Sequence, residues 1–246
     1  MGVILMLKNP LETLLDLAPL SELVNADSEE LANAKLAYGR EFVFAVELFT
    51  AAPSSEEGLT LNGNLHLCIN AGAGLREGKM TIASSVGASA GEGMLGGELI
   101  VHGSVGKNAC REMHNGFVRI DGDAGEGLAR GMRRGMIVVS GRAHGETCAA
   151  LRGGTVLLLS GTDEPEQLAR GLSRGTVILP KGAGVPSGFS RAASLDYSFL
   201  RLLFLELEQR GGKLPQGWLG GVFTRYRGDA VGLGKGEIFV LSEERA

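Results

Sequence analysis

The sequence predicts a mainly β protein, built as a single-stranded parallel solenoid with about 19 residues per coil. Three observations support this fold class: an internal repeat of constant length, a short alternating apolar segment in each repeat, and glycine at fixed repeat positions. Glycine supplies 39 of the 246 residues, yet there is no Gly-X-Y triplet, and only 7 residues are proline. The composition therefore indicates neither collagen nor a disordered linker.

The repeat becomes visible when the chain is aligned on itself with an offset of one repeat. Five consecutive copies agree in four columns, which are Leu75, Met94, Met113, Met132 and Leu151; Gly78, Gly97, Gly116, Gly135 and Gly154; Met80, Leu99, Val118, Ile137 and Val156; and Ile82, Val101, Ile120, Val139 and Leu158. A sixth copy ends at Leu179, after a two-residue insertion. One residue separates the last two apolar columns, so each copy predicts one short strand.

The glycine column is predicted to have a structural role. A coil that turns sharply needs positive φ at some corners and close backbone approach at others, and glycine permits both. We expect this role for Gly78, Gly97, Gly116, Gly135 and Gly154. Six coils stacked about 4.8 Å apart would extend roughly 25 to 30 Å.

The flanking segments do not repeat and are predicted to cover the ends of the stack. The predicted division is an N-terminal cap at 1–60, about six coils at 61–182, and a C-terminal loop, helix and strand at 183–246. Asp27 or Ser28 begins a short helix, residues 61–70 alternate as a strand, and a longer helix ends before Gly211. A final strand is expected within 234–240, after the RYRGD segment at 225–229.

Composition also excludes several functions. A net charge of −4 and a pI near 5.7 argue against a nucleic-acid partner. Three cysteines without a C-x-x-C pair indicate a reducing compartment. There is neither a signal peptide nor an apolar run long enough to span a bilayer, so we expect a cytoplasmic protein with no membrane partner.

The sequence predicts no catalytic residue and no metal site. Cys110 and Cys148 lie two coils apart, about 10 Å, beyond disulfide reach, and are interpreted as small buried residues. The four histidines lack the spacing of a zinc site. His102, Asp121 and Ser140 share one outward column, which we interpret as a solvated face rather than a triad.

Two further columns bear on function. Arginines gather near one corner of the repeats. Two interpretations of this corner are open: a solvated surface, or a binding site for a polyanion. These candidate binding residues are Arg111, Arg130, Arg133, Arg134 and Arg152. An apolar outward column at Ile100, Val138 and Leu157, interrupted by Arg119, predicts a cover from either the C-terminal helix or a partner subunit.

The repeat G-x-x-(M/L)-x-x-G-x-(I/V/L)-x-(I/V/L)-x-G resembles the GXGXG β-helix shared by the C subunit of formylmethanofuran dehydrogenase and the C-terminal domain of large glutamate synthase subunits. The flanks favour the former, because AYGREFVFAVELF, RYRGD and GKGEIFV resemble the ends of that subunit. The resemblance implies a right-handed parallel β-helix. It also implies a subunit of a one-carbon enzyme, either formylmethanofuran dehydrogenase or the bacterial formyltransferase/hydrolase complex.

In that family the cofactor is methanofuran or methylofuran, and other subunits hold the metals. The resemblance therefore implies a non-catalytic scaffold that binds no cofactor alone, with amidohydrolase-like, formyltransferase-like and molybdopterin-type (or relic) subunits as partners. The arginine corner is a second hypothesis, as a guide for the polyglutamate tail of the cofactor. Two alternatives stay open: a glutamate synthase-like GXGXG domain serving an amidotransferase, and a stand-alone β-helix enzyme.

Overall fold

The computed structural model describes residues 2–228 and 235–243. Within them the strands are β1 (Gly2–Leu7), β2 (Leu15–Asp16), β3 (Lys35–Tyr38), β4 (Glu41–Phe44), β5 (Phe49–Ser54), β6 (Leu59–Asn62), β7 (Cys68–Ile69), β8 (Lys79–Ile82), β9 (Glu98–Val101), β10 (Phe117–Ile120), β11 (Met136–Val139), β12 (Thr155–Leu158), β13 (Thr176–Leu179), β14 (Ser190–Leu195), β15 (Val222–Arg227) and β16 (Glu237–Glu243). The α-helices are α1 (Ser28–Ala32), α2 (Ala45–Leu48) and α3 (Ser198–Gln209), with 3-10 turns at Ala18–Glu22 and Pro165–Gln167.

Two sheets contain these strands. The larger has twelve described strands in the order β14-β15-β16-β13-β12-β11-β10-β9-β8-β6-β1-β5, and the smaller has four in the order β4-β3-β2-β7. In the larger sheet, β8 to β12 pair in parallel with matching repeat positions, for example Phe117 with Met136. One sequence repeat is thus the step from one strand to the next.

The predicted fold class is wrong. A single-stranded parallel β-helix would contain parallel strands only, whereas the twelve-stranded sheet mixes both directions and a separate four-stranded sheet accompanies it. The difference arises in the flanks, which carry no repeat. There β5 pairs antiparallel with β1, and β15 pairs antiparallel with both β14 and β16. An open edge of backbone groups needs partners, and these segments supply them.

Neighbouring repeats also pair their backbones outside the strands, through a line of isolated bridges with one residue from each repeat. Parallel bridges join Leu65 to Val86, and the line then continues through Val105, Ala124 and Ala143 to Thr162. Buried side chains of neighbouring repeats fill the space between this line and the strands. Met94, Met113 and Met132 are fully buried there. The repeated apolar columns therefore form the principal core.

Helix α3 covers the outer face of the parallel strands. Ile100, Val138 and Leu157 are buried in a second apolar cluster together with Leu200 and Phe204 of the helix. The sequence predicted that either the C-terminal helix or a partner subunit covers this column, and in the structure the helix covers it. Trp218 and Phe223 extend the same cluster, the first packing edge-to-face against the ring of Phe204 and the second packing tilted against it.

Two arginines hold the end of α3 against the sheet. Arg119, on the strand face below the helix, donates a hydrogen bond of 2.8 Å to the carbonyl of Gly211. Arg210 donates to Glu98 at 2.7 Å, and its guanidinium lies 5.1 Å from the ring centre of Phe117. These contacts fix the helix end by charge as well as by apolar packing.

Both helices predicted in the flanking segments are present in the structure. Helix α1 is confirmed, since the carboxylate of Asp27 accepts hydrogen bonds from the Glu29 and Glu30 amides, both at 2.9 Å. Helix α3 is confirmed and ends before Gly211, whose φ is +74°.

The continuous strand at 61–70 is wrong, because the chain turns between β6 and β7 with Gly63 at φ +132°. Strand β16 begins in the expected segment but continues past residue 240 to Glu243, while Asp229 and Gly234 lie outside the described residues. The division at residues 60 and 182 stays a prediction.

The glycine column lies at the turn that enters each strand. All five members have positive φ, namely Gly78, Gly97, Gly116, Gly135 and Gly154. At Gly135, a Cβ atom would lie 2.5 Å from the carbonyl oxygen of Gly116 in the preceding repeat. This contact is closer than any side chain permits, so the stacking of repeats excludes a Cβ at this turn.

We expect Gly135→Ala to lower the free energy of unfolding by roughly 2 to 4 kcal/mol, because left-handed strain adds to a backbone clash. Gly74→Ala is the matched control: its φ is +68°, but no atom lies within 4 Å of the added Cβ. There the loss should be about 1 kcal/mol. Urea unfolding of both variants measures the difference, and equal losses would contradict the stacking explanation.

Candidate functional site

The five candidate arginines form two groups, which precede and follow the buried column of Met113, Met132 and Leu151. Arg111 and Arg130 precede Met113 and Met132 in their repeats, while Arg133, Arg134 and Arg152 follow Met132 and Leu151. All five are exposed. The structure therefore places them on turns of consecutive repeats, as two groups.

The two groups differ in their ion pairs. Arg130 contacts Glu146 at 3.0 Å, and Arg111 lies 4.0 Å from Glu92 and 3.9 Å from Glu112. By contrast, no carboxylate of the described residues pairs with Arg133, Arg134 or Arg152. Partnered surface arginines are partly neutralised, so the unpaired group is the part of the corner that an acidic ligand would meet.

An apolar surface on the outer side of α3 was not predicted. Phe199, Leu202 and Leu205 recur at every third position and are 48%, 68% and 38% exposed, and Leu195 of β14, just before the helix, is 55% exposed. We call these four residues the outer helix surface. The missed signal is that α3 is apolar around most of its circumference, whereas a helix with one buried face is polar on the other.

His102 and Asp121 come together, but Ser140 does not complete a triad. The carboxylate of Asp121 accepts a hydrogen bond from Nδ1 of His102 at 2.8 Å and also lies 3.0 Å from Nε of Arg119. Because these residues follow successive strands, Asp121 stands between the histidine and the serine. A serine nucleophile needs the histidine beside it, so this order cannot act as Ser-His-Asp.

A second histidine is held in the same way. Nδ1 of His144 lies 2.7 Å from Oδ2 of Asp163, which belongs to the next repeat. The hydrogen bond from His144 is the largest cause that lowers the pKa of Asp163, and the backbone amide of Gly145 adds to it. Cross-repeat pairing of histidine with aspartate thus occurs twice, at different places along the stack.

The cysteines are buried thiols. Burial raises the pKa of Cys68 and of Cys110 to about 12, and raises that of Cys148 as well. A thiol with so high a pKa carries almost no thiolate at neutral pH and is a poor nucleophile or metal ligand. All three are free, and Cys110 and Cys148 take left-handed turn positions with φ of 56° and 58°.

Within 2–228 and 235–243, no group of three or more histidine, cysteine, aspartate or glutamate side chains is arranged to hold a metal ion. No helix in these ranges is both long and apolar enough to cross a membrane.

Comparison with known proteins gives a likeness to a solved structure. No protein family profile matches the chain, and no curated protein matches it. Among solved structures, the chain is similar to one in the crystal structure of the formyltransferase/hydrolase complex (FhcABCD) from Methylorubrum extorquens in complex with methylofuran. The identity is 26%, the TM-score is 0.72, and the match covers 98% of this chain and 100% of the other. This likeness agrees with the resemblance to a formyltransferase/hydrolase complex that the sequence indicated.

We expect His144→Gln to raise the pKa of Asp163 towards its ordinary value, since the hydrogen bond from the histidine is removed. A lowered pKa in the folded state stabilises the protein above the unfolded-state pKa, and this contribution is lost as the pH falls through the folded value. NMR titration of the Asp163 carboxyl carbon measures the shift. His66→Gln, which removes a histidine paired with Asn64 instead, should leave that titration unchanged.

Proposed function

We propose that this protein is a scaffold subunit of a formyltransferase/hydrolase complex that acts on formyl-methylofuran. The observation that carries the proposal is the match over 98% of this chain and 100% of a chain in such a complex. Because the match extends over nearly all of both chains, it supports the same overall fold for both. It also favours the formyltransferase/hydrolase type over the formylmethanofuran dehydrogenase type.

A non-catalytic role agrees with the chemistry of the described residues. The thiols are buried and carry raised pKa values, and Asp121 separates His102 from Ser140. A scaffold needs none of these groups to react. In this proposal methylofuran is bound by the assembled complex and any metal ions by other subunits. The partners are then an amidohydrolase-like subunit, a formyltransferase-like subunit, and a molybdopterin-type subunit or its relic.

The outer helix surface is the proposed docking site. The parallel strands cannot serve directly, because α3 covers their apolar outer face. The opposite side of the helix exposes Phe199, Leu202 and Leu205 instead. Clustered exposed apolar side chains of this kind mark protein interfaces, where an aromatic anchor supplies much of the binding energy.

Leu202→Asp combined with Leu205→Asp tests the docking site. An unpaired carboxylate buried in an apolar interface should weaken association by at least roughly 30-fold, or about 2 kcal/mol. The tagged protein is purified from its native host, and mass spectrometry quantifies the amidohydrolase-like and formyltransferase-like subunits that accompany it. Stability should change little, because both leucines are exposed.

Leu95→Asp is the matched control, since Leu95 is 38% exposed, as is Leu205, but lies on a turn between repeats. This variant should retain both subunits. Normal recovery of partners with the double variant would refute the docking site. A lone monomer with its own catalytic activity would refute the scaffold role and favour a stand-alone enzyme, and an accompanying amidotransferase would favour the glutamate synthase-like alternative.

We propose, as a second role, that the arginine corner guides the acidic tail of the furan cofactor. The specific support is that Arg133, Arg134 and Arg152 are exposed and pair with no carboxylate of the described residues. Arginine binds carboxylates through two parallel hydrogen bonds, and several arginines on successive repeats would contact successive acidic groups. Arg111 and Arg130 would contribute less, because both already have acidic neighbours.

Changing all three unpaired arginines to glutamate should weaken binding of an oligoglutamate peptide to the complex by at least about tenfold, since each change replaces attraction by repulsion. Titration at two salt concentrations measures the effect, which should diminish at high salt. Arg40→Glu, an exposed arginine in the turn between β3 and β4, is the control. Unchanged affinity of the triple variant would exclude the guiding role.

A further inference from the structure

A cleft lies between the ends of the parallel strands and the segment that follows α3. Its volume is about 620 Å³. His102, Asp121, Ser140 and Leu159 line it from the strands, and Lys213 and Leu214 line it from the segment after the helix. We call it the His102 cleft. It is separate from the outer helix surface and from the arginine corner, and neither proposed role uses it.

A chain of hydrogen bonds and ion pairs holds the histidine in this cleft. The Gly211 carbonyl accepts from Arg119, Arg119 contacts Asp121, and Asp121 accepts from Nδ1 of His102. Arg119 is only 15% exposed in its side chain, so it brings a charge into an otherwise apolar column. Burying a charge is costly unless it is paired, and here the pairing also fixes the orientation of the imidazole.

The polar groups that remain available favour an anion. Nδ1 is occupied by Asp121, which leaves Nε2 as the free nitrogen of His102. Lys213 is exposed and has no carboxylate partner among the described residues. The Ser140 hydroxyl also lacks a described hydrogen-bond partner, although the Ser140 carbonyl accepts from Ser160. An imidazolium, an ammonium and a hydroxyl can all donate to one carboxylate.

The charge balance agrees with an anionic ligand. The titratable side chains that line the cleft, within the described residues, are His102, Arg119, Asp121 and Lys213. Asp121 neutralises one of the two permanent cations, so one positive charge remains even with a neutral histidine. Since a carboxylate accepts hydrogen bonds but donates none, Nε2 contacts it only in the protonated form.

Apolar residues line the cleft beside the charged groups. Leu159 lines it from the end of β12, and Leu214 and Pro215 line it from the segment after the helix. We infer that the His102 cleft binds a small free monocarboxylate with a short aliphatic chain, with its carboxylate at His102 and Lys213 and its chain against these apolar residues. This inference does not depend on the proposed subunit role.

Calorimetric titration of the purified full-length chain with acetate, propionate and butyrate tests the inference. We expect one saturable site whose affinity rises about three- to fourfold with each added methylene. The absence of saturable binding for all three acids would overturn the inference.

Variants locate the site. His102→Gln and Lys213→Gln should each weaken butyrate binding at least about fivefold, because each removes a charged donor. Lys213 is exposed, so Lys213→Gln should fold normally. This variant therefore tests the site even if His102→Gln fails to fold. His144→Gln is the matched control, since His144 has an equivalent aspartate partner elsewhere. Equal weakening by His144→Gln would overturn the inference, as would preferential binding of an oligoglutamate peptide over butyrate at this cleft.

Discussion

The stacking of backbone on backbone from one repeat to the next is the constraint on which the other features of this protein depend. Each parallel strand in the middle of the stack bonds to a strand one repeat before it and another one repeat after it. A turn residue in one repeat therefore lies directly against the same turn in the next. Gly135 illustrates this, because its missing Cβ leaves room for the carbonyl oxygen of Gly116. Repeat length, turn conformation and core columns are consequently linked, and no repeat can change alone.

The same stacking creates two needs that the repeats cannot meet. A row of parallel strands leaves open edges and, in this protein, an apolar outer face. The non-repeating ends of the chain meet both needs: β1 and β16 join the parallel strands, β5 and β15 add antiparallel partners, and α3 covers the face. The flanks are thus integral to the large sheet, and α3 in turn exposes new apolar surface for a partner.

Charged residues divide into those that build the structure and those that are free to bind. Arg119 and Arg210 hold the end of α3 through a carbonyl, a carboxylate and an aromatic ring. Arg133 and Lys213, by contrast, are exposed and have no acidic partner among the described residues. The distinction depends on which side chains the fold brings together, because both groups carry the same positive charge.

The sequence by itself determined the repeat length, the short strand in each repeat, the buried columns, the start of α1 and the end of α3, because these follow from local periodicity and capping. Only the tertiary structure decided the mixed sheet, since antiparallel pairing between non-repeating strands that are distant in the sequence, such as β1 and β5, leaves no periodic signal. It also decided how His102, Arg119 and Lys213 meet at one cleft. Those contacts join residues far apart in the chain, and long-range proximity is set by packing rather than by local sequence.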